Sequence, residues 1–228
     1  MAAEDSTRRE RRGLAAAFGL CAVATATLLA SHPGGGGGAG GFAEFLKAEA
    51  RNQLIDGVVH GGFIVTSSIL IVCCVLFSRL LGSGRAAVVV GLVAFCIGCG
   101  GLMASMLLDG FVSAAIAARF AGAQDPQELA MAKTLMLFCG TSIRFLMPLG
   151  VSFQSAAMLS WASIFLTGQG LRRAVGVFGS VSAILLIAAL LAAPAVLTTH
   201  VLLIGIAVQV IWYLALAVLL MLERYPSV

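Results

Sequence analysis

The sequence predicts an all-α fold, a polytopic bundle of six helices that cross a membrane. One apolar stretch lies near the N-terminus, and five longer ones cover residues 54–77, 86–108, 145–167, 174–194 and 201–222. A hydrocarbon core of about 30 Å needs about 20 apolar residues in a helix, and each of the five supplies them. Hydrophobic residues make up 60% of the chain and charged residues 11%, against about 45–50% and about 25% in soluble domains.

The N-terminal stretch has two interpretations. Residues 1–12 are predicted to be a basic cytoplasmic N-terminus, and residues 13–31 the first transmembrane helix or a signal segment. The run is short for a membrane span, and its small residues, such as Ala22-Val23-Ala24, also fit signal cleavage. We favour a retained helix, which gives six spans; a cleaved signal gives five.

Residues 32–53 are predicted to be a Gly-rich outer loop, because the nearly pure glycine of residues 34–41 forms a flexible tether. The transmembrane bundle then occupies residues 54–222, and residues 223–228 form a cytoplasmic tail.

The third and fourth helical patterns are longer than a membrane is thick. They run from Ala86 to about Phe120 and from Pro126 to Thr167, about 50 and 60 Å as unbroken helices. Asp125 suits a helix N-cap, Pro126 the first helical position, and Glu128 completes a capping box. The sequence therefore predicts an outer helical hairpin, residues 110–142, that extends helices three and four.

The basic residues predict the orientation. Lys and Arg accumulate on the cytoplasmic side of membrane proteins, and one side of this chain would hold nine of them and the other five. The nine are Arg8, Arg9, Arg11, Arg12, Arg79, Arg85, Arg172, Arg173 and Arg224, and the five are Lys47, Arg51, Arg119, Lys133 and Arg144. We therefore expect the protein to lie in the inner or plasma membrane of the cell, with both termini in the cytoplasm. We interpret the net charge of +4 as this orientation signal and expect no nucleic-acid partner.

Several polar residues fall at one predicted depth, near the outer membrane boundary. A span of about 31 Å takes about 21 residues of helix. Counted from each inner boundary, this length places five polar residues within about one helical turn of the outer boundary: Asp56, His60, Asp109, Arg144 and His200. Polar side chains also accumulate at this boundary without any function, because they are in contact with water there.

Four of these residues predict a candidate metal site. Asp56 and His60 share a helix face, and with Asp109 and His200 they offer two nitrogens and two oxygens to a divalent metal such as zinc. A metal-bound water would then serve hydrolysis at the outer surface. Alternatively, His60 and His200 would ligate a haem. The chain has no diagnostic spacing such as His-Glu-x-x-His, so the cofactor and enzymatic activity stay open.

Asp109 and Arg144 are predicted to form an ion pair between helices three and four. They lie about equally far from the hairpin tip, so antiparallel neighbours would bring them to one height. If the pair is partly buried, losing one partner strands the other charge.

Two glutamines, Gln154 and Gln209, lie about two turns below the outer boundary. They predict either hydrogen bonds between helices or a shallow polar cavity that binds a small or lipid-like ligand. The middle and inner thirds of the spans lack ionisable residues, which argues against an ion-driven transporter.

Helix three carries a stripe of small residues at alternating three- and four-residue spacing, a face that allows close helix contact. The contact is made within the bundle or with a second copy in a homodimer. The stripe comprises Gly91, Ala94, Gly98, Gly101 and Ser105.

No motif in the sequence specifies a reaction. The leading interpretation is an integral multi-pass membrane protein without catalytic activity, a small-ligand, lipid-facing or assembly component of the cell membrane. The alternative is a membrane enzyme with a metal- or haem-dependent site at the outer face, built on Asp56, His60, Asp109 and His200.

Overall fold

The structure, a computed structural model, describes residues 2–32, 41–192 and 199–222, with every side chain in them except those of residues 2–5, 7 and 199–201. These residues form α-helices and one π-helical segment, and they contain no strand. The elements are α1 (Ala2–Ala30), α2 (Phe42–Leu81), α3 (Ala86–Leu107), the π-helical segment (Leu108–Ser113), α4 (Ala114–Phe120), α5 (Pro126–Phe165), α6 (Gly170–Ala192) and α7 (Thr199–Leu222).

Six helical stretches in the described part of the chain are long and apolar enough to cross a membrane. The first of them, Arg8–Ala30, lies within α1. The predicted fold class, an all-α bundle of membrane-spanning helices, is therefore confirmed, and the chain is a multi-pass membrane protein. Cleavage of the N-terminal segment stays a prediction.

The predicted extension of helices three and four is also present. The helical path from Ala86 continues through the π-helical segment to Phe120, and α5 begins at Pro126. The Asp125 side chain caps α5, because its Oδ1 accepts a hydrogen bond of 3.1 Å from the Gln127 backbone N–H. Such a cap satisfies one of the free N–H groups at the start of a helix.

The chain divides into two compact units. Unit 1 comprises Met1–Ala26, Thr66–Gly100 and Pro148–Val228, and unit 2 comprises Thr27–Val65 and Gly101–Met147.

The core of unit 2 explains why its helical part begins earlier than predicted. Residues 42–53, predicted to belong to the outer loop, lie in α2. Leu46 is fully buried in a cluster with Ala117, Phe120 and Ala132, and Phe42 and Phe45 pack against that cluster. The apolar residues of this segment recur every three to four positions, which buries one face of a helix.

The core of unit 1 is a network of aromatic rings. The Phe77 ring centroid lies 5.9 Å from that of Phe18, 5.7 Å from that of Trp161 and 6.2 Å from that of Phe165. Trp161 and Trp212 are both fully buried. Helices in a bilayer associate mainly through van der Waals packing, since lipid tails are as apolar as the side chains.

Two glycines of the small-residue stripe pack against α5 within unit 1. A Cβ on Gly91 would lie 2.7 Å from Trp161 Nε1, and one on Gly98 would lie 2.7 Å from Gln154 Cγ. A side chain at either position would therefore push α3 and α5 apart. At these two positions the stripe serves contacts within one chain; a homodimer through the same face stays a prediction.

Candidate metal centre

Three side chains in unit 2 converge on one point: His32, His60 and Asp109. Their ligand atoms all lie within 4.8 Å of one another. His60 Nε2 is central, because it lies 3.3 Å from His32 Nε2 and 3.2 Å from Asp109 Oδ2. Each of the three comes from a different part of the chain.

His32 follows the C-terminus of α1, where the Ser31 backbone N–H donates to Thr27 O at 3.0 Å. His60 belongs to α2, and Asp109 belongs to the π-helical segment. A π-helical turn inserted in an α-helix is frequent at functional sites.

Gly110 allows the π-helical segment to lie directly against His60. A Cβ on Gly110 would lie 2.4 Å from His60 Cβ and 2.5 Å from His60 Cγ. Real Cβ contacts are longer than this, so only glycine fits here without a backbone shift. The close approach places Asp109, the preceding residue, beside the His60 ring.

The backbone of Asp56 fixes the tautomer of His60. His60 Nδ1 lies 2.8 Å from the Asp56 carbonyl oxygen, and a carbonyl only accepts hydrogen bonds, so Nδ1 carries a proton. In the neutral imidazole the lone pair is then on Nε2, which faces Asp109 and His32. A histidine that binds a metal usually donates its other N–H to a carbonyl or carboxylate in this way.

The arrangement brings electron-pair donors together. A neutral His60 presents a lone pair at Nε2 to a carboxylate oxygen, and two such atoms repel unless a metal ion or a proton lies between them. A protonated His60 would instead form an ion pair with Asp109. Two ligands about 2.0–2.1 Å from a tetrahedral zinc ion are about 3.3–3.4 Å apart. The two separations that involve His60 Nε2, 3.2 and 3.3 Å, are close to that value, and the ligand atoms of His32 and Asp109 lie within 4.8 Å of each other.

The centre is buried on one side and open on the other. His60 is 2% exposed, whereas the Asp109 side chain is 39% exposed, and His32 is exposed. A small ion and a water molecule therefore have access from the side of His32 and Asp109.

The structure brings together two of the four predicted metal ligands, His60 and Asp109. Asp56 contributes a backbone carbonyl to His60, and its carboxylate is not among the converging ligand atoms. The side chain of His200 lies outside the described residues. Sequence reasoning missed His32, which falls in the predicted outer loop. Its only available signal was its residue type, since His32 is one of three histidines in the chain.

Asp109 contacts His60 rather than the predicted partner Arg144. Its Oδ2 lies 3.2 Å from His60 Nε2. Arg144 is exposed, and the ion pairs found among the described residues do not include Asp109 with Arg144.

The two predicted ligand-binding glutamines are both buried in unit 1. Gln154 Nε2 donates to Cys99 Sγ at 3.3 Å, so this side chain joins α5 to α3. Gln209 Nε2 has no hydrogen-bond partner in the described structure.

No protein-family model, curated protein or solved structure matches this chain.

Proposed function

We propose that this membrane protein binds one divalent metal ion, zinc being the best match, through His32, His60 and Asp109. We propose further that a metal-bound water there serves hydrolysis at the outer membrane surface. The observation that carries the proposal is the convergence of three ligand atoms within 4.8 Å, with His60 Nδ1 bound to the Asp56 carbonyl. Two nitrogens and one carboxylate oxygen are ligands that zinc prefers.

The three ligands found among the described residues fit a catalytic rather than a structural metal. Structural zinc sites are closed by four protein ligands, whereas catalytic sites keep three and leave one position for water or substrate. Zinc lowers the pKa of a bound water to about 7, which supplies hydroxide at neutral pH. The exposure of His32 and Asp109 gives a substrate access to that position.

The same geometry favours a single ion over the haem considered from the sequence. A haem would need His60 Nε2 to face a large planar ring. This atom instead has His32 Nε2 and Asp109 Oδ2 within 3.3 Å, which leaves space for an ion but not for a macrocycle.

The proposed location is the cell membrane, with both termini in the cytoplasm. The excess of Lys and Arg on one side of the spans supports this orientation. It places the metal centre on the non-cytoplasmic side, at the predicted outer boundary. Counting about 21 residues from each inner boundary puts that boundary near Gly57 in α2 and Leu107 in α3.

Elemental analysis of detergent-purified protein after equilibration with zinc tests the proposal. The wild type should carry about one zinc per chain, and Asp109→Asn, which keeps the side-chain volume but removes the charge, should lose it. Asp56→Asn is the matched control, because its backbone carbonyl is unchanged, and it should keep the metal. His60→Ala should behave like Asp109→Asn.

Two results would overturn the assignment. Equal zinc content in the wild type and Asp109→Asn would exclude the Asp109 carboxylate as a ligand. Loss of zinc from Asp56→Asn would instead move the site to the ligand set predicted from the sequence.

A second candidate is the non-catalytic small-ligand, lipid-facing or assembly component. Gln209 favours it, because a buried amide N–H₂ without a partner is costly and a ligand would satisfy it. Gln209→Met removes the amide at similar volume. If a co-purifying ligand is bound there, this variant should lower the midpoint of thermal unfolding. An unchanged or higher midpoint would remove this candidate.

A further inference from the structure

A groove of ≈ 440 Å³ lies beside the candidate metal centre in unit 2. Residues of α2 form one wall and residues of the π-helical segment form the other. The lining residues are Gln53, Leu54, Gly57, Val58, Gly110 and Phe111.

The groove adjoins the centre at two points. Gly57 directly follows Asp56, whose carbonyl accepts the His60 hydrogen bond. Gly110 directly follows Asp109, which contacts His60 Nε2. Gly110 also lies directly against His60, because a Cβ on Gly110 would meet the His60 side chain. A molecule in the groove would therefore lie beside residues that adjoin the proposed ligands, although the ligand side chains are not among the lining residues.

The shape of the groove depends on glycine. A Cβ on Gly57 would lie 4.0 Å from Phe111 Cε1, and one on Gly61 would lie 3.5 Å from Phe111 Cζ. The Phe111 ring thus faces the side of α2 that carries Gly57 and Gly61, and larger residues at these two positions would fill the space.

The chemistry of the walls changes along α2. Leu54 is 80% exposed, Val58 63% and Phe111 41%, so these apolar side chains can contact the hydrocarbon of a lipid. Gln53, the polar lining residue, is the one farthest from the membrane interior in the predicted orientation. The predicted outer boundary passes near Gly57, so an occupant would be polar above this level and apolar below it.

We infer that this groove binds the acyl chain of a membrane lipid and holds the polar carbonyl region of that lipid beside His60 and Asp109. The substrate class of the proposed hydrolase is then an acyl lipid of the outer leaflet. This inference rests on the proposed function, but the groove and the metal ligands are different residues, so each can be removed separately.

The test titrates zinc-equilibrated, detergent-purified protein with phosphatidylcholine that carries a pyrene-labelled acyl chain. Gly57→Leu places a side chain in the groove and should weaken binding by roughly tenfold or more, since single methylenes in an apolar site change affinity by about that factor. Gly140→Leu is the matched control: Gly140 also lies in a helix of unit 2, and nothing lies within 4 Å of its Cβ position. This control should bind the lipid like the wild type.

Zinc content, measured on the same samples, separates the two proposals. Gly57→Leu with full zinc and weakened lipid binding supports both. If Gly57→Leu keeps its full zinc content and binds the lipid with wild-type affinity, only the lipid inference is overturned. No zinc in the wild type overturns the proposed function, whatever the lipid affinity. If Gly57→Leu does not fold, Leu54→Gln replaces it, with Leu137→Gln, at another exposed leucine of unit 2, as control.

Discussion

His60 is engaged through both ring nitrogens, and this determines what it offers a ligand. Nδ1 is bound to the Asp56 carbonyl at 2.8 Å, so in the neutral ring Nε2 carries the lone pair, and it contacts His32 and Asp109. Burial of the side chain, 2% exposed, keeps the ring in this orientation. The lone pair therefore faces His32 and Asp109 rather than water.

At the scale of single residues, we predict that His32 and His60 act as one unit. Zinc bound to the folded state raises the unfolding free energy, by about 2.7 kcal/mol at a concentration 100 times the dissociation constant. His32→Ala and His60→Ala should each abolish the rise in unfolding midpoint that zinc gives the wild type. The double variant should lose no more of this zinc effect than either single variant.

Scanning calorimetry or intrinsic fluorescence in detergent, with zinc and then with chelator, measures this effect. Groups that share one ligand are non-additive in this way. Independent partial losses that sum in the double variant would contradict a shared ion. The predicted pairing of His60 with His200 can be tested in the same series.

The π-helical segment is the element that aligns the centre, and Gly110 is its contact with α2. We predict that Gly110→Ala lowers stability, because the new Cβ would lie 2.4 Å from His60 Cβ. Overpacking of this kind costs about 1–3 kcal/mol. Gly140→Ala, with nothing within 4 Å of its Cβ position, should leave stability unchanged or raise it through helix propensity.

Thermal unfolding of the two variants in detergent provides the comparison. The Gly110→Ala variant should also bind zinc more weakly, since a shift of the segment moves Asp109. Equal unfolding midpoints for the two alanine variants would contradict the close packing of this segment against His60.

Most elements could be predicted from the sequence because hydropathy and capping are local signals. The long apolar runs gave the spans, and Asp125-Pro126 gave the start of α5. The helical residues 42–53 were assigned to the outer loop because the adjoining glycines are typical of a loop. The helical spacing of Phe42, Phe45 and Leu46 is the signal that marks them as helical. The π-helical turn depends on how Gly110 packs against His60, so no local pattern marks it.

The candidate site was predictable only in part for the same reason. Membrane depth placed His60 and Asp109 together, since both lie near the end of a span. His32 lies beyond the end of α1, where depth counting gives no position. Asp56 was predicted to bind the metal through its carboxylate, whereas the structure shows its backbone carbonyl accepting a hydrogen bond from His60.

On the scale of the whole molecule, the orientation of the spans decides which compartment the metal centre faces. We predict that a cysteine introduced at Asp125, in a variant lacking the six native cysteines, reacts with an impermeant thiol reagent in intact cells. One introduced at Gly82 should react only after the cells are opened. The reverse labelling would place the centre on the cytoplasmic side.

X-ray absorption spectroscopy at the zinc edge tests the metal centre most directly, because it reports the ligand atoms themselves. The account predicts nitrogen and oxygen neighbours at about 2.0–2.2 Å, an imidazole signature from two histidines, and no sulfur. Neighbours at about 2.3 Å would assign the metal to cysteine thiolates instead. That result, or the absence of bound zinc, would contradict a site built on His32, His60 and Asp109.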